Sequence, residues 1–383
     1  MATSTELSSL SLFPANHEQT IESRRRTFPH WGRGLTEETY LERDSRLSYL
    51  EHARNGKLVT WVLAPRDNSS TMDFKCSCET FRRDILVKYP EDSSPRQAVG
   101  YTVASVFTPP QYRGKGYAAH MMRLIHWIIA PHSALPQFPA KWGTPPPEKA
   151  EYNNALVSAL YSDVGSKFYA RCGPDEASEG WIVKDPYSTI WEAKPDITGL
   201  DTSSESVELA PLSLDQCTQR WDEDAERIRQ NLKASDPNRV AFSFLPNEGV
   251  AMTMVQRTEF FNSDKPNPNM PTVWGVELKR KDKEHELATW TIDVRPPPVT
   301  LLITRLRATP DGFEHILKYV FDAAKTSGCE RVEVWNLPKD LEGVAIKYGG
   351  KTAPRDDHLN ALKWYGPEAD KVDWINNEKF CWS

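Results

Sequence analysis

The sequence predicts an α/β (α+β) protein of two domains, each a mixed, mostly antiparallel sheet flanked by helices. Three observations carry that expectation. Strand-like and helical runs alternate from end to end. One element order (helices, a β-meander, a strand, a helix, a strand, a short helix) occurs in the first half and returns in the second. The chain has 383 residues, more than the roughly 250–300 that one hydrophobic core usually supports. The domains are expected at 1–196 and 207–383, divided by the polar segment 196–206 (Asp-Ile-Thr-Gly-Leu-Asp-Thr-Ser-Ser-Glu-Ser).

Residues 6–13 alternate in polarity and predict a first strand. Two charged segments with intermittent apolar positions, 17–32 and 36–54, predict helices. Thr36 with Glu37 and Glu38 opens the second. Strands are expected at 57–63 and within 72–89. The run 97–108 is long, apolar and β-rich; it ends at Pro109-Pro110, since proline has no N–H for a central strand. An apolar helix at 117–130 follows, then a proline-rich loop at 131–150, a strand at 155–161, a short helix at 166–172 ended by Gly173, and β-like residues at 181–191. In the second half a charged helix near 213–233 precedes strands at 273–280, 286–294 and 300–307. A helix at 312–326 and a strand at 331–335 lead to Ile346-Lys347-Tyr348-Gly349-Gly350.

Composition narrows the function classes. A net charge of −6 argues against a broad phosphate-binding surface, hence against nucleic acid. No run approaches 18 consecutive apolar residues, and Met1 to Glu6 lacks the basic and apolar regions of a signal peptide, so a cytoplasmic protein without a membrane span is expected. Six scattered cysteines suit reduced thiols. Cys76-Ser77-Cys78 predicts two strand residues on one face, and no metal is expected. His120 and His126, six residues apart, are not spaced to share a helix face and read as ordinary helix residues.

The segment Gln111-Tyr112-Arg113-Gly114-Lys115-Gly116-Tyr117-Ala118-Ala119 carries the chemistry. It joins a buried strand to a helix whose first N–H groups are unpaired and partly positive. Glycines let that backbone approach a ligand, which makes a pyrophosphate cradle, with Arg113 and Lys115 able to add charge-assisted contacts. The Walker pattern is absent. A dinucleotide fingerprint is matched only in part, because Ala119 fills the third glycine slot and the segment follows a meander.

Arg113 to Ala118 fits R-x-x-G-x-A, preceded by Pro110 and Tyr112. Here the sequence resembles the GNAT superfamily of N-acetyltransferases. The resemblance implies a GNAT fold, a second degenerate GNAT-like domain and acetyl-CoA as co-substrate. It places the backbone of Arg113, Gly114, Lys115, Gly116, Tyr117, Ala118 and Ala119 around the pyrophosphate, and the main chain of Val106, Phe107 and Thr108 along the pantetheine arm. The superfamily's F/L-Y-x-x-x-G segment occurs twice, at Leu160–Gly165 and Phe168–Gly173. Tyr169 is the expected acid toward the leaving thiolate, since Tyr161 ends a strand-like run. A base must free the amine: Glu79 and the C-terminal carboxylate of Ser383 are candidates, and the aromatic tail before Ser383 also reads as packing.

Together with Leu-Tyr-Ser-Asp-Val-Gly, Phe-Tyr and the tail Asn-Glu-Lys-Phe-Cys-Trp, the whole chain resembles the fungal lysine acetyltransferases. That implies transfer of acetyl to the side-chain amine of free L-lysine, in lysine degradation. Another small amine, a polyamine, a protein amine, or a non-catalytic acyl-CoA-binding module are the alternatives. The counterpart loop Arg307–Phe313 lacks the basic double-glycine pattern, so one acetyl-CoA site per chain is expected, the second domain completing the substrate site.

Overall fold

A computed structural model describes residues 3–192, 207–263, 271–281 and 284–382. The predicted divider at 196–206 and the carboxylate of Ser383 lie outside the described residues. In the first half the order is α1 (Ser4–Ser8), β1 (Leu10–Pro14), α2 (His17–Trp31), α3 (Glu37–Ser48), β2 (Leu58–Pro65), β3 (Cys76–Lys88), β4 (Arg96–Phe107), α4 (Tyr117–Ile129), β5 (Ala155–Ser162), α5 (Lys167–Ala170), β6 (Ile182–Val183) and β7 (Tyr187–Glu192). The second half runs β8 (Glu208–Leu212), α6 (Leu214–Asn231), β9 (Val240–Phe244), α7 (Met252–Ser263), β10 (Gly275–Lys279), β11 (Glu286–Asp293), β12 (Thr300–Arg307), α8 (Pro310–Thr326), β13 (Arg331–Trp335), α9 (Glu342–Lys347), β14 (Lys351–Pro354), β15 (Leu359–Trp364) and β16 (Val372–Trp374).

Local chemistry accounts for the helix starts. Asn16 and Gln19 form a reciprocal capping box on α2, Thr36 caps α3, and Ser213 with Gln216 boxes α6. In α4, ten residues from Tyr117 to Ile129 are buried, so the helix is enclosed nearly all round. Each fully buried Met, Leu or Ile there contributes about 1.5–3 kcal/mol.

Two sheets share one plan. The first reads β1-β2-β3-β4-β5-β15-β6, and the second reads β8-β10-β11-β12-β13-β7-β14. In each, neighbours are antiparallel except one central parallel pair, β4 with β5 and β12 with β13. The repeat expected from element order is therefore a repeat of topology. Beyond the stretch paired with β2, β3 pairs antiparallel with β9, which in turn pairs in parallel with β16.

Each sheet also takes a strand from the other side of the divider expected at 196–206. Strand β7 from the first half lies in the second sheet, between β13 and β14, and β15 from the second half lies in the first, between β5 and β6. One apolar cluster runs across both, joining Ile85 and Val157 to Trp221, Trp290 and Phe313. Two readings change. The predicted strand at 6–13 starts at Leu10, because Thr3 caps a short helix through Ser8. Strand β9 and helix α7 lie where no element is expected. In α7 the apolar residues show no helical stripe, so no periodicity marks it as a helix.

Candidate active site

The loop between β4 and α4 takes the shape its glycines permit. Gly114 and Gly116 have φ of +74° and +93°, conformations that side-chain-bearing residues rarely adopt, and a Cβ at either would meet nothing within 4 Å. Arg113 to Gly116 are exposed. The first α4 bond returns from the His120 amide to the Gly116 carbonyl at 3.0 Å, so the amides of Tyr117, Ala118 and Ala119 precede the helical ladder. Of the predicted amides, that of Arg113 is committed to Pro110 O at 3.2 Å. Its guanidinium Nε donates to Thr108 O at 3.0 Å. The Lys115 ammonium lies 5.7 Å from the Tyr112 ring centre. Tyr117 turns its ring inward, 2% exposed, and donates to the Glu6 carboxylate.

Upstream of the loop, β4 separates from β5. Parallel pairing runs from Val99–Ala155 to Val103–Leu160 and goes no further. At the same point β3 slips by one residue, pairing Ser77 with Phe107 and Glu79 with Ala104. Ser105 takes φ of +53° in this bulge. Main chain at 104–108 therefore faces a notch between diverging strands. Val106 packs partly buried on the core of the first sheet, and Phe107 is buried with its ring edge-on to Trp31 at 5.9 Å.

Glu79 stands beside the bulge and accepts the Ser105 hydroxyl at 2.7 Å. Burial pushes its carboxyl above the ordinary range, while the Arg24 charge and the Ser105 bond oppose that shift. Glu79 and Ser105 face a cavity of about 220 Å³ whose walls come from α2, α3, β3 and β4 of the first half and from α7, His358 and Trp382 of the second. That volume is below the roughly 300–1,000 Å³ of sites for drug-sized ligands.

Tyr161, at the end of β5, also lines this cavity. Its ring lies 5.9 Å from Trp335, and its hydroxyl is buried with no hydrogen-bond partner among the described residues. Tyr169 sits elsewhere. It is half-buried on α5, packed edge-on to Phe168 at 4.9 Å on the core under α4. Burial, then the nearby Cys172 and Cys78 thiols, push its hydroxyl well above its usual pKa. Of the two predicted tyrosines, Tyr161 lines the cavity and Tyr169 does not.

The remaining candidates are structural. Cys76 and Cys78 are free and fully buried on β3, and Cys76 contacts the Met121 sulfur at 3.5 Å. His126 bonds Tyr365 Oη and Cys172 O, each at 2.7 Å, and burial lowers its pKa to about 3. Among the described residues no group of three His, Cys, Asp or Glu could hold a metal ion. No helix of the described residues is long and apolar enough to cross a membrane.

The second sheet presents the same geometry closed. At the start of α8, the Glu286 carboxylate accepts the Thr309 amide at 2.9 Å and its hydroxyl at 3.0 Å. It lies so close that a Cβ on Gly312 would come within 1.5 Å of it. Where β12 leaves β13, the Glu378 carboxylate accepts the Leu306 amide at 2.8 Å, and Phe380 is fully buried beside it. The chain's own carboxylates hold the donors that the first sheet leaves open. Arg33, Asp44 and Arg257, all on the cavity wall with Trp382, carry no sequence signal, and the tail that ends in Trp382 reads from sequence as packing.

Residues 196–383 match the family described as the LYC1 GNAT-like C-terminal domain. A lysine acetyltransferase from Yarrowia lipolytica is 30% identical over 152 residues, 39% of this chain and 36% of that protein; the match spans about a third of the relative's length. A conserved protein of unknown function from Enterococcus faecalis superposes with a TM-score of 0.54 at 10% identity, covering 93% of this chain and 72% of that one. A GCN5-related N-acetyltransferase from Anabaena variabilis gives 0.52 at 12% identity, over 93% and 73%. The fold is that of the GCN5-related N-acetyltransferases, and residues 196–383 match a GNAT-like family. The chain resembles the fungal lysine acetyltransferases.

Proposed function

We propose that this protein transfers the acetyl group of acetyl-CoA to a primary amine, the side-chain amine of free L-lysine. One observation carries the reading. An exposed double-glycine helix start continues into the open edge of β4, and a half-buried carboxylate stands at the bulge between them and a small cavity. Backbone amides from Gly114 to Ala119 suit a diphosphate, and the edge at Val106, Phe107 and Thr108 suits the amides of a pantetheine arm.

In this reading Glu79 removes a proton from the ammonium of the acceptor. A lysine amine of pKa about 10.4 is almost wholly protonated at neutral pH, and a carboxylate of raised pKa is better matched to accept that proton. The amine nitrogen attacks the acetyl carbonyl, the carbon–sulfur bond breaks, the thiolate takes a proton from Tyr169, and the nitrogen's surplus proton passes through solvent to restore the tyrosine hydroxyl. The small cavity and the lysine acetyltransferase relative favour a free amino acid over a protein lysine. Six free, buried cysteines favour a reducing, cytoplasmic setting, in lysine degradation.

Thiol release from acetyl-CoA with L-lysine, spermidine and a lysine peptide tests the proposal. Turnover with L-lysine supports it. Turnover confined to spermidine or the peptide keeps acetyl transfer and removes the lysine assignment. Binding of acetyl-CoA without turnover on any amine points to a binding module.

A further inference from the structure

The cavity is chemically asymmetric. At the bulge end stands the Glu79 carboxylate. At the other end a smaller cavity of about 30 Å³ adjoins it, the two sharing Arg33, Met254, Arg257, His358 and Trp382 as walls. Two cations pack on one indole there. The Arg257 guanidinium lies 4.2 Å from the Trp382 ring centre, and the Lys379 ammonium lies 4.1 Å from it and 4.1 Å from that of Trp335.

Lys379 is only 4% exposed. Among the described residues neither cation has a carboxylate oxygen within 4 Å. Of the nearby acids, Asp44 is bound to Arg43 at 2.6 Å, Asp163 to His358 at 2.8 Å, Glu333 accepts the Ser188 hydroxyl at 2.5 Å, and Asp293 lies exposed on the wall of the smaller cavity. A buried ammonium beside a half-buried guanidinium, neither with a bound counterion, is costly, and such groups are normally paired. Burial lowers Lys379 to about 8 and Arg257 to about 10, and the Asp293 charge only partly opposes the shift at each.

We infer that Arg257, with Lys379 beside it, is the subsite that holds the carboxylate of the acceptor. The acceptor then spans the cavity, its reacting amine at Glu79 and its carboxylate at Trp382. The second half of the chain, which lacks an open cofactor cleft, reads the acceptor's anionic end. This assignment rests on the acetyl-transfer reading for the amine end only; the anion site stands on its own geometry.

The test uses the full chain saturated with CoA and three probes differing at one group: L-lysine, lysinamide and cadaverine. Binding is read by calorimetry and transfer by thiol release. L-lysine is expected to bind about 10- to 100-fold more tightly than either carboxylate-free amine, the range of one charge-assisted hydrogen bond. In Arg257→Gln that advantage disappears, with the loss in KM for L-lysine rather than in kcat. Lys379→Met is a second variant, expected to reduce the advantage in part. Equal binding of cadaverine and L-lysine by the unaltered protein, or no binding of L-lysine, overturns the inference without any variant. So does an Arg257→Gln protein, folded by circular dichroism, that weakens all three probes alike. Carboxylate-dependent binding without thiol release leaves the subsite and removes acetyl transfer. Equal thiol release from cadaverine does the reverse.

Discussion

The Ser105 hydroxyl donates to Glu79 at 2.7 Å across the one-residue slip between β3 and β4. The bulge that opens the notch thus also orients the candidate base. Glu79→Gln is expected to lower kcat by about 10²–10⁴-fold, the usual worth of a general base, with acetyl-CoA affinity retained. Because burial raises the Glu79 pKa, the rate should climb with pH as that carboxyl ionises. The same limb should vanish in the variant. An unchanged pH–rate profile removes Glu79 from the chemistry.

Tyr169→Phe and Tyr161→Phe should behave oppositely. Loss of the Tyr169 hydroxyl is expected to reduce kcat about 10- to 100-fold or more, as removal of an acid does. The Tyr161 hydroxyl is buried without a partner among the described residues, so its removal should leave stability equal or higher by about 1 kcal/mol. Denaturant midpoints and kcat for both variants decide the assignment; a larger kcat loss at Tyr161 would exchange their roles.

At Gly116, φ of +93° and open space around the missing Cβ separate two effects. Gly116→Val should cost about 1–2 kcal/mol in backbone strain. It should also raise KM for acetyl-CoA at least tenfold, since the new side chain enters the space facing the helix amides. Calorimetry with CoA reads the second effect; unaltered affinity would place the diphosphate elsewhere.

Glu286 satisfies Thr309 at the start of α8. Glu286→Ala should destabilise the fold by about 1.5–3 kcal/mol, the worth of hydrogen bonds to a charged acceptor. Acetyl-CoA should still bind at one equivalent per chain, with its affinity unmoved. A second equivalent in the variant would mean that the carboxylate masks a working site.

Burial lowers His52 and His126 to about 3 and His120 to about 4, against 6.5 when unfolded. Each is therefore neutral in the fold and takes a proton on unfolding below pH 6.5. Stability is full above that pH and falls as pH drops toward 4, by up to roughly 4 kcal/mol per unit for three protons. Urea titrations at pH 7.5, 6 and 5 should show this, and His126→Gln should remove about a third of the slope. An identical slope in the variant would assign the acid sensitivity to other groups.

The loop was legible because its function dictates residue types locally: two glycines with positive φ and a helix start occupy four consecutive positions. The acceptor cavity was not, since Glu79, Asp44, Arg257 and Trp382 are brought together from β3, α3, α7 and the segment after β16. On separate stretches, a charged helix face or a late tryptophan has no pattern that marks it. Strand exchange was equally hidden. Residues 187–192 read as β in either sheet, and alternation in polarity does not say which edge a strand will join.

That exchange gives the molecule the form of a domain-swapped dimer whose two protomers share one polypeptide. A half expressed alone would lack the strand that its sheet borrows, between β5 and β6 or between β13 and β14, and would expose unpaired edges on both sides of the gap. The two halves should therefore unfold in one transition, and separately made halves should gain solubility only when mixed. A duplicated unit held together in this way can surrender one cofactor cleft to its own side chains and remain indispensable.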